Sequence, residues 1–216
     1  MNTQAIKKRE GVQTKIYENV SYKLVDKNGK AKSVFALNGF GMAIMRFMRK
    51  LVKSPIGKDG QVKSGIFNHL SAYGLRVPFL CGNWVGEMKI ANLMTNTGFA
   101  GVASRINGAD SEAAFTYIAV GTGTTSAAAA DSALETEITD SGLERATGTA
   151  SRVTTTQTND TAQLVKTFTV TGTKAVTESG VLNAGSSGVL LCHQVFSAIN
   201  VVSGDSLQIT WKIKAS

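Results

Sequence analysis

Residues 192 and 193, a cysteine followed by a histidine, are the first candidates for chemistry in this chain. A thiol beside an imidazole can form the nucleophile–base pair of a hydrolase. The pair lies in a segment, 188–197, with the composition of a β-strand, where neighbouring side chains point to opposite faces. The pattern therefore predicts that Cys192 and His193 do not meet, and that one faces the core while the other faces solvent.

The run Gly-Thr-Gly-Thr-Thr at 121–125 is a second candidate, because it is similar to a phosphate-binding loop. A Walker A motif ends in Gly-Lys-Ser/Thr, which supplies the lysine and the hydroxyl that contact phosphate and metal, and no such ending follows here. Asp205 lies in the turn Ser-Gly-Asp-Ser and is predicted to accept a hydrogen bond from the backbone. We therefore expect both segments to be turns.

A group of acidic residues comes next, and a short helix predicted at 127–134 would carry part of it on a solvated face. The group consists of Asp131, Glu135, Glu137 and Asp140. No CxxC, HxxxH or HExxH spacing is present, so the sequence offers no transition-metal site. We expect no catalytic residue, no cofactor and no metal, and hence a protein that is not an enzyme.

The sequence pattern of the second half of the chain predicts β-structure. Between 206 and 214, Leu207, Ile209, Trp211 and Ile213 alternate with polar residues, which predicts a half-buried strand with Trp211 in the core. Further strand candidates lie at 115–120, 148–157, 162–171, 175–183 and 188–197. Their spacing and their turns predict a mainly β protein with a C-terminal antiparallel β-sandwich, jelly-roll or immunoglobulin-like, over residues 111–216.

The sequence of the first half predicts that residues 1–110 form an extended α+β region. Asn28-Gly29 is a hairpin turn between strands at 17–25 and 31–35. An amphipathic helix is expected at 39–53, a strand near 85–90, and a second helix at 96–107 that Asn107-Gly108 ends. We expect residues 111–216 to fold alone, and residues 1–90 to order only with a partner.

The two halves differ in charge. Residues 1–90 contain 16 Lys/Arg and 5 Asp/Glu, whereas residues 91–216 contain 7 and 10. A strong positive bias in one half indicates a region that attaches to a negatively charged surface. The candidate interface comprises Lys7, Lys8, Arg9, Phe40, Ile44, Arg46, Phe47, Arg49, Lys50 and Lys53.

Two interpretations of these interface residues stay open at this point. The helix at 39–53 could dock through its cations, or it could be an ordinary amphipathic helix whose charged side is solvated. The arm that carries Lys7, Lys8 and Arg9 could order on a partner or stay solvated. Nucleic acid is disfavoured, because the cations are spread over several elements without a known recognition motif. No apolar run reaches about 18 residues, so no membrane span is expected.

Three runs of the second half resemble a domain of tailed-bacteriophage virion proteins. They are FTYIAVGTGTTSAAAADSALETEI (115–138), GLERATGTASRVTTTQTNDTAQLVKTFTVTGTKAVTESGVLNA (142–184) and LLCHQVFSAINVVSGDSLQITWKI (190–213). The resemblance covers about 100 residues and implies a β-sandwich that serves as a structural block on the particle. It brings no catalytic residues. Cys192-His193 departs from the pattern, in which Ala-Arg is usual.

These observations together predict a non-enzymatic virion structural protein, made in the host cytoplasm, that docks through its basic N-terminal half. A head decoration or minor capsid protein is the first hypothesis. A tail, neck or baseplate component, including the base of a fibre, is the alternative. A host-surface carbohydrate-binding module is a further alternative, but among larger aromatic residues with a polar tip the second half offers only Tyr117 and Trp211 for stacking on sugars. The expected partners are the major capsid protein or tail and neck proteins, and copies of the chain itself in a homo-oligomer.

Overall fold

The computed structural model describes residues 16–37, 82–91 and 93–215. Within these ranges the protein is mainly β, with one α-helix and a short 3-10 turn (Ala109–Ser111). Helix α1 is Asn96–Asn107. The strands are β1 Ile16–Val25, β2 Ala31–Lys32, β3 Val34–Leu37, β4 Gly82–Val85, β5 Met88–Ala91, β6 Leu93–Met94, β7 Tyr117–Gly121, β8 Ala146–Thr147, β9 Thr149–Val153, β10 Thr161–Thr169, β11 Lys174–Leu182, β12 Leu190–Val201 and β13 Ser206–Ala215.

The described strands form three antiparallel sheets. Sheet I has the order β2-β1-β13-β10-β9, and β5 also pairs with β1. Sheet II has the order β6-β12-β11-β7-β8, and β3 pairs with β4 in a third, two-stranded sheet. Every pairing is antiparallel, as expected for strands joined by short turns.

Strand β1 joins the two halves of the sequence in sheet I. It pairs with β13 over ten residues, from Ile16 opposite Ala215 to Val25 opposite Ser206. Over the part of β1 whose side chains are described, the inward-pointing residues Val20, Tyr22 and Leu24 are buried. The division predicted near residue 110 therefore runs through a sheet, and residues 111–216 lack one of its inner strands.

One hydrophobic cluster receives side chains from both sheets I and II. Tyr22 of sheet I stacks on Phe196 of sheet II with 4.1 Å between ring centroids. Trp211 of sheet I is fully buried, and its indole N–H donates to the hydroxyl of Ser179 on β11 at 3.3 Å. Aromatic side chains of this size contribute much of the apolar area that the core removes from water. The burial of Trp211 that the alternation predicted is confirmed.

The N-terminus of helix α1 packs on a β-bulge of β12. Between Leu190 and Cys192 the register of β12 against β11 shifts by one residue, at Leu191. The Leu191 carbonyl accepts from the N–H of Thr95 at 3.0 Å, and the Thr95 hydroxyl caps the helix by accepting from the N–H of Gly98 at 2.9 Å. A side chain at Gly98 would collide with the Leu191 backbone, so glycine allows this close approach.

Several local predictions are confirmed. The hairpin around Asn28-Gly29 is present, and Gly29 has a φ of +80°. Helix α1 spans the predicted 96–107, and Gly108 ends it with a φ of +72°.

The strand predicted near 85–90 is instead two strands, β4 and β5, that Gly86 and Glu87 separate.

One local prediction is wrong. Residues 127–134 form turns and irregular structure and not a helix. Alanine favours helices, but the Asp131 carboxylate accepts from the N–H of Ala128 at 2.8 Å, a local bond that competes with a helical turn. The segment instead lies across sheet II, as described below.

The predicted interface residues lie outside the described residues. They belong to the arm at 1–12, with Lys7, Lys8 and Arg9, and to the predicted helix at 39–53. The latter would carry Phe40, Ile44, Arg46, Phe47, Arg49, Lys50 and Lys53. Their role stays a prediction.

A fragment of residues 111–216 is expected not to fold, because it lacks β1. Each large apolar side chain that leaves the core costs about 1.5–3 kcal/mol, and three of them amount to much of the 5–15 kcal/mol by which domains are stable. Urea unfolding followed by tryptophan fluorescence should show a cooperative transition for the full chain and none for the fragment. A cooperative transition in the isolated fragment would show that β1 is dispensable.

Candidate functional site: a buried histidine between two carboxylates

The outer face of sheet II, which points away from the shared core, is covered by the chain that follows β7. Residues 122–136 cross this face, and Leu134 packs there with Leu182 and Leu190. Gly180 lies beneath Leu134, and a Cβ at this position would come within 2.7 Å of that side chain. The segment therefore lies directly against the sheet, and polar residues beneath it are removed from water.

Glu178 on β11 is the central residue under this segment, and its side chain is fully buried. One carboxylate oxygen, Oε1, accepts from the N–H groups of Gly123 at 2.9 Å and Thr136 at 2.7 Å. The other, Oε2, accepts from the N–H of Glu135 at 3.0 Å and contacts Nε2 of His193 at 2.9 Å. A carboxylate offers about four acceptor positions, so Glu178 is saturated.

His193 on β12 completes the group, which we call the histidine cluster (His193, Glu178 and Asp131). Its Nδ1 lies 2.7 Å from Oδ2 of Asp131, and only 2 % of the residue is exposed. A neutral imidazole has one N–H, whereas the protonated ring donates from both nitrogens. When both carboxylates are ionised, only the protonated ring satisfies both short contacts at once. Glu178 already accepts three backbone N–H bonds, which favour its ionised form, so the geometry favours an imidazolium between two carboxylates.

The pKa shifts agree with this geometry. Burial alone would lower the pKa of His193, but the hydrogen bonds to Glu178 and Asp131 outweigh it and raise that pKa above the ordinary 6.5. Burial alone would raise the pKa of Glu178, but the bond from His193 and the three backbone N–H groups hold it below the ordinary 4.5. Each partner therefore stabilises the charged form of the other.

The Gly-Thr-Gly-Thr-Thr run has a structural use in this cluster. A Cβ at Gly123 would lie 2.5 Å from Oε1 of Glu178, and a Cβ at Gly121 would also collide with that atom. Glycine at both positions lets the backbone reach the buried carboxylate. Beside it, the Thr177 hydroxyl donates to the Gly123 carbonyl at 2.7 Å. The loop thus encloses an anion that the chain itself supplies, on β11.

The acidic residues predicted to be a solvated face are exposed or half-buried, and they also have partners within the protein. Glu135 accepts from the N–H groups of Thr124 and Thr125 at 2.6 and 2.7 Å. Glu137 forms a bidentate ion pair with Arg145 at 2.6 and 2.8 Å, and Arg145 also donates to two backbone carbonyls. These side chains are therefore solvated as predicted, and in addition they fix the loop.

Asp140 and Asp205, the two remaining acidic candidates, also have partners within the protein. Asp140 pairs with Lys174 at 2.8 Å, and this bond lowers the pKa of the aspartate. Asp205 accepts from the N–H of Val202 at 3.0 Å, so the predicted backbone hydrogen bond is confirmed. It also forms an ion pair with Lys32 at 2.7 Å.

The prediction for Cys192 and His193 is correct in one part and wrong in the other. Cys192 lies in the core that sheets I and II share, whereas His193 points to the opposite face, so the pair does not meet. Neither residue faces solvent, because the 122–136 segment covers His193. Glu178 was missed entirely, although its position in an apolar strand, Lys174–Leu182, was a signal for a buried and paired charge.

An open depression of about 280 Å³ lies over the histidine cluster. Its lining consists of Thr125, Ser126, Asp131, Ala133, Glu135 and His193. General acid–base catalysis needs a group that can exchange a proton with a substrate. Both nitrogens of His193 are directed at carboxylates, and the Thr125 hydroxyl donates to Glu135 at 2.7 Å. The arrangement is that of a structural salt bridge.

Among residues 16–37, 82–91 and 93–215, no three His, Cys, Asp or Glu side chains are arranged to hold a metal ion. Across those ranges, no helix has both the length and the apolar character needed to cross a bilayer.

Comparisons of the chain with protein-family models, with characterised proteins and with solved structures find no match.

Substitution of Gly123 by alanine is expected to destabilise the protein by about 1–3 kcal/mol, because the added methyl group displaces the Glu178 carboxylate or the loop. Urea unfolding at pH 6 measures the change. Gly86→Ala is the matched control, since nothing lies within 4 Å of a Cβ there. Equal stability of the two variants would contradict the close approach described above.

The histidine cluster is also expected to make stability depend on pH. The contribution of Glu178, whose pKa is lowered, is fully present above about pH 4.5 and is lost as the pH falls through the lowered value. That of His193, whose pKa is raised, is fully present below about pH 6.5 and is lost as the pH rises through the raised value. The cluster therefore contributes most between these limits.

The measurement compares the free energy of unfolding of the wild type and of His193→Gln across this pH range. Loss of one partner of a buried ion pair costs about 3–5 kcal/mol, so the difference should reach that size between the two limits and shrink on either side. His69→Gln controls for the only other histidine. A difference that stays constant with pH would mean that His193 is not protonated in the folded protein.

Proposed function

We propose that the protein is a non-enzymatic structural protein of a tailed-bacteriophage virion, and within that class a head decoration or minor capsid protein. The observation that carries the non-enzymatic part is the histidine cluster. Its titratable groups are the ones best placed for chemistry among the described residues, and their polar atoms are used to hold the fold. The virion part rests on the resemblance of residues 115–138, 142–184 and 190–213.

The positions of these runs in the fold support treating them as one structural unit. The Gly-Thr-Gly-Thr-Thr run and the Thr-Glu-Ser-Gly run, residues 177–180, meet through the Glu178 carboxylate. Ser179 donates to the Ala119 carbonyl at 2.9 Å, which links the Thr-Glu-Ser-Gly run to β7, the strand that leads into the Gly-Thr-Gly-Thr-Thr run. In the Ser-Gly-Asp turn, the Asp205 side chain fixes the backbone. The Gly-Thr-Gly-Thr-Thr, Thr-Glu-Ser-Gly and Ser-Gly-Asp motifs of the resemblance thus each stabilise the fold, as expected for a structural protein.

The proposal includes a β-sandwich of jelly-roll or immunoglobulin-like kind. Two antiparallel sheets that contribute to one core are typical of such folds. The sandwich that we propose takes in β1, β5 and β6 in addition to the strands of residues 111–216, because these strands belong to sheets I and II.

The alternatives make different demands. A tail, neck or baseplate component would use the same fold in fewer copies. A carbohydrate-binding module would need exposed aromatic rings, but Trp211 is fully buried. The partners that we propose are the major capsid protein, or tail and neck proteins, together with copies of this chain. The basic N-terminal half supplies the attachment.

Copy number in purified particles is the test. Virions banded in a density gradient should contain the chain, and quantitative mass spectrometry against a labelled standard gives its number per particle. A head decoration protein occupies lattice positions and reaches on the order of hundreds of copies, whereas closed rings at the neck or baseplate hold on the order of ten. Absence of the chain from banded particles would contradict the proposal, and a copy number near ten would favour the alternative.

A further inference from the structure

Sheet I has an outer face that points away from the core and carries a distinctive set of side chains. The inward and outward positions of its strands alternate, and the inward set is buried in the shared core. The outward set includes four lysines, which we call the lysine face: Lys23, Lys89, Lys212 and Lys214. Most side chains among them are neutral and polar, including Ser21, Ser151, Gln163, Thr167, Gln208 and Thr210, and a few are valines such as Val165.

The strand register brings the four lysines together from both ends of the chain. Lys23 on β1 lies opposite Gln208 on β13, four pairs along the ladder from the pair that contains Lys212. Lys89 on β5 lies opposite Ser21, which in turn lies opposite Thr210. With strands about 4.8 Å apart and alternate residues about 6.8 Å apart, all four lie within about 20 Å. Two of them come from the basic half and two from the last strand.

The described residues of the protein do not balance the charges of this face. The outward positions described on β1, β5, β9, β10 and β13 include no aspartate or glutamate. The nearest carboxylate in an ion pair is that of Glu87, in the turn before β5, at 3.9 Å from Lys89, and both side chains are exposed. Such a pair contributes little. Elsewhere, Lys32 and Lys174 are paired with Asp205 and Asp140 at 2.7 and 2.8 Å.

Sheets I and II differ in what covers their outer faces. Residues 122–136 lie over the outer face of sheet II, whereas lysine, threonine and glutamine side chains form the outer face of sheet I. A solvated antiparallel sheet is polar on its outer face, but a surface that serves only solubility mixes both signs of charge. We infer that the lysine face is a docking surface for an acidic protein surface in the assembled particle.

The chemistry of the face favours a protein over nucleic acid or lipid. Single-stranded nucleic acid is bound through several aromatic side chains on which successive bases stack, and among the described strands of sheet I the register places a single aromatic residue, Tyr17 opposite Lys214, at an outward position. A face five strands wide does not enter a duplex groove, which admits an α-helix or a two-stranded ribbon. Insertion into a membrane surface needs large apolar side chains, and the described outward positions offer only valines, such as Val165. A flat acidic protein surface matches both the shape and the charge.

This inference rests on the proposed function for the identity of the partner, and its test separates the two. Sulfo-NHS-acetate labels accessible lysines in the free chain and in banded particles, and mass spectrometry reports each site. Labelling of the four lysines should fall about fivefold or more in particles, because an interface core excludes water. Lys27 and Lys30, in the exposed turn after β1, should label equally in both. If the chain is in particles and the four lysines label as in the free chain, the inference fails while the proposed function stands.

A variant with all four lysines replaced by glutamine tests the charge directly. Its incorporation into particles at low salt should fall about tenfold, and the remaining incorporation should respond less to added salt. The control replaces four other exposed cations, Lys27, Lys30, Arg105 and Arg152, by glutamine, and should assemble like the wild type. Thermal unfolding shows whether both variants are folded. Equal loss in the two variants would overturn the inference, since net charge and not this face would then be responsible.

Two further arms complete the test. Protection of the four lysines in the free chain by duplex DNA, without protection in particles, would overturn the inference in favour of nucleic acid. If the chain is absent from particles, the proposed function fails and retention on immobilised poly-glutamate decides the lysine face. Earlier elution of the lysine-face variant than of the control supports it, and equal elution overturns it.

Discussion

The buried carboxylate of Glu178 imposes requirements on distant parts of the chain. An ionised carboxylate without partners in a protein interior costs several kcal/mol, so the fold has to surround it with donors. Three of these donors are backbone N–H groups from two places in the segment after β7, and the fourth is the ring of His193. Because N–H groups must come within 3 Å of the charge, glycine is needed at 121 and 123. A motif that looks like a ligand-binding loop is thus a consequence of one internal charge.

The same constraint explains the composition of β11. This strand has protein on both faces, and its residues from Ala175 to Leu182 are all buried. Its buried polar side chains all bond to other elements: Thr177 to the Gly123 carbonyl of the loop, Ser179 to the Ala119 carbonyl of β7, and Glu178 to the loop and to β12. Buried polar groups with partners fix a unique arrangement, whereas apolar contacts alone would leave the loop more freedom.

Local patterns in the sequence predicted the elements, but the contacts between them depend on the whole chain. The alternation of Leu207, Ile209 and Trp211 indicates a strand, and Thr95 and Gly108 mark the ends of α1. Nothing local indicates that β13 pairs with β1, nearly the full length of the chain away. The histidine cluster brings together positions 131, 178 and 193, a spacing that follows no helical or strand period. Sequence reasoning placed His193 opposite to Cys192 correctly, but the cover over that face comes from an Ala-rich run whose helix propensity was overridden by tertiary contacts.

The small β3–β4 sheet has a consequence for how this chain could change. Leu37 ends β3 and lies directly opposite Gly82, which begins β4, so ladder hydrogen bonds hold both ends of the intervening residues 38–81 at one place. A slip of one residue in either strand would reverse every side chain in this ladder, so Leu37 and Gly82 have to stay paired whatever sequence lies between them. An insertion or deletion within β3 or β4 is therefore the change that this part of the fold tolerates least.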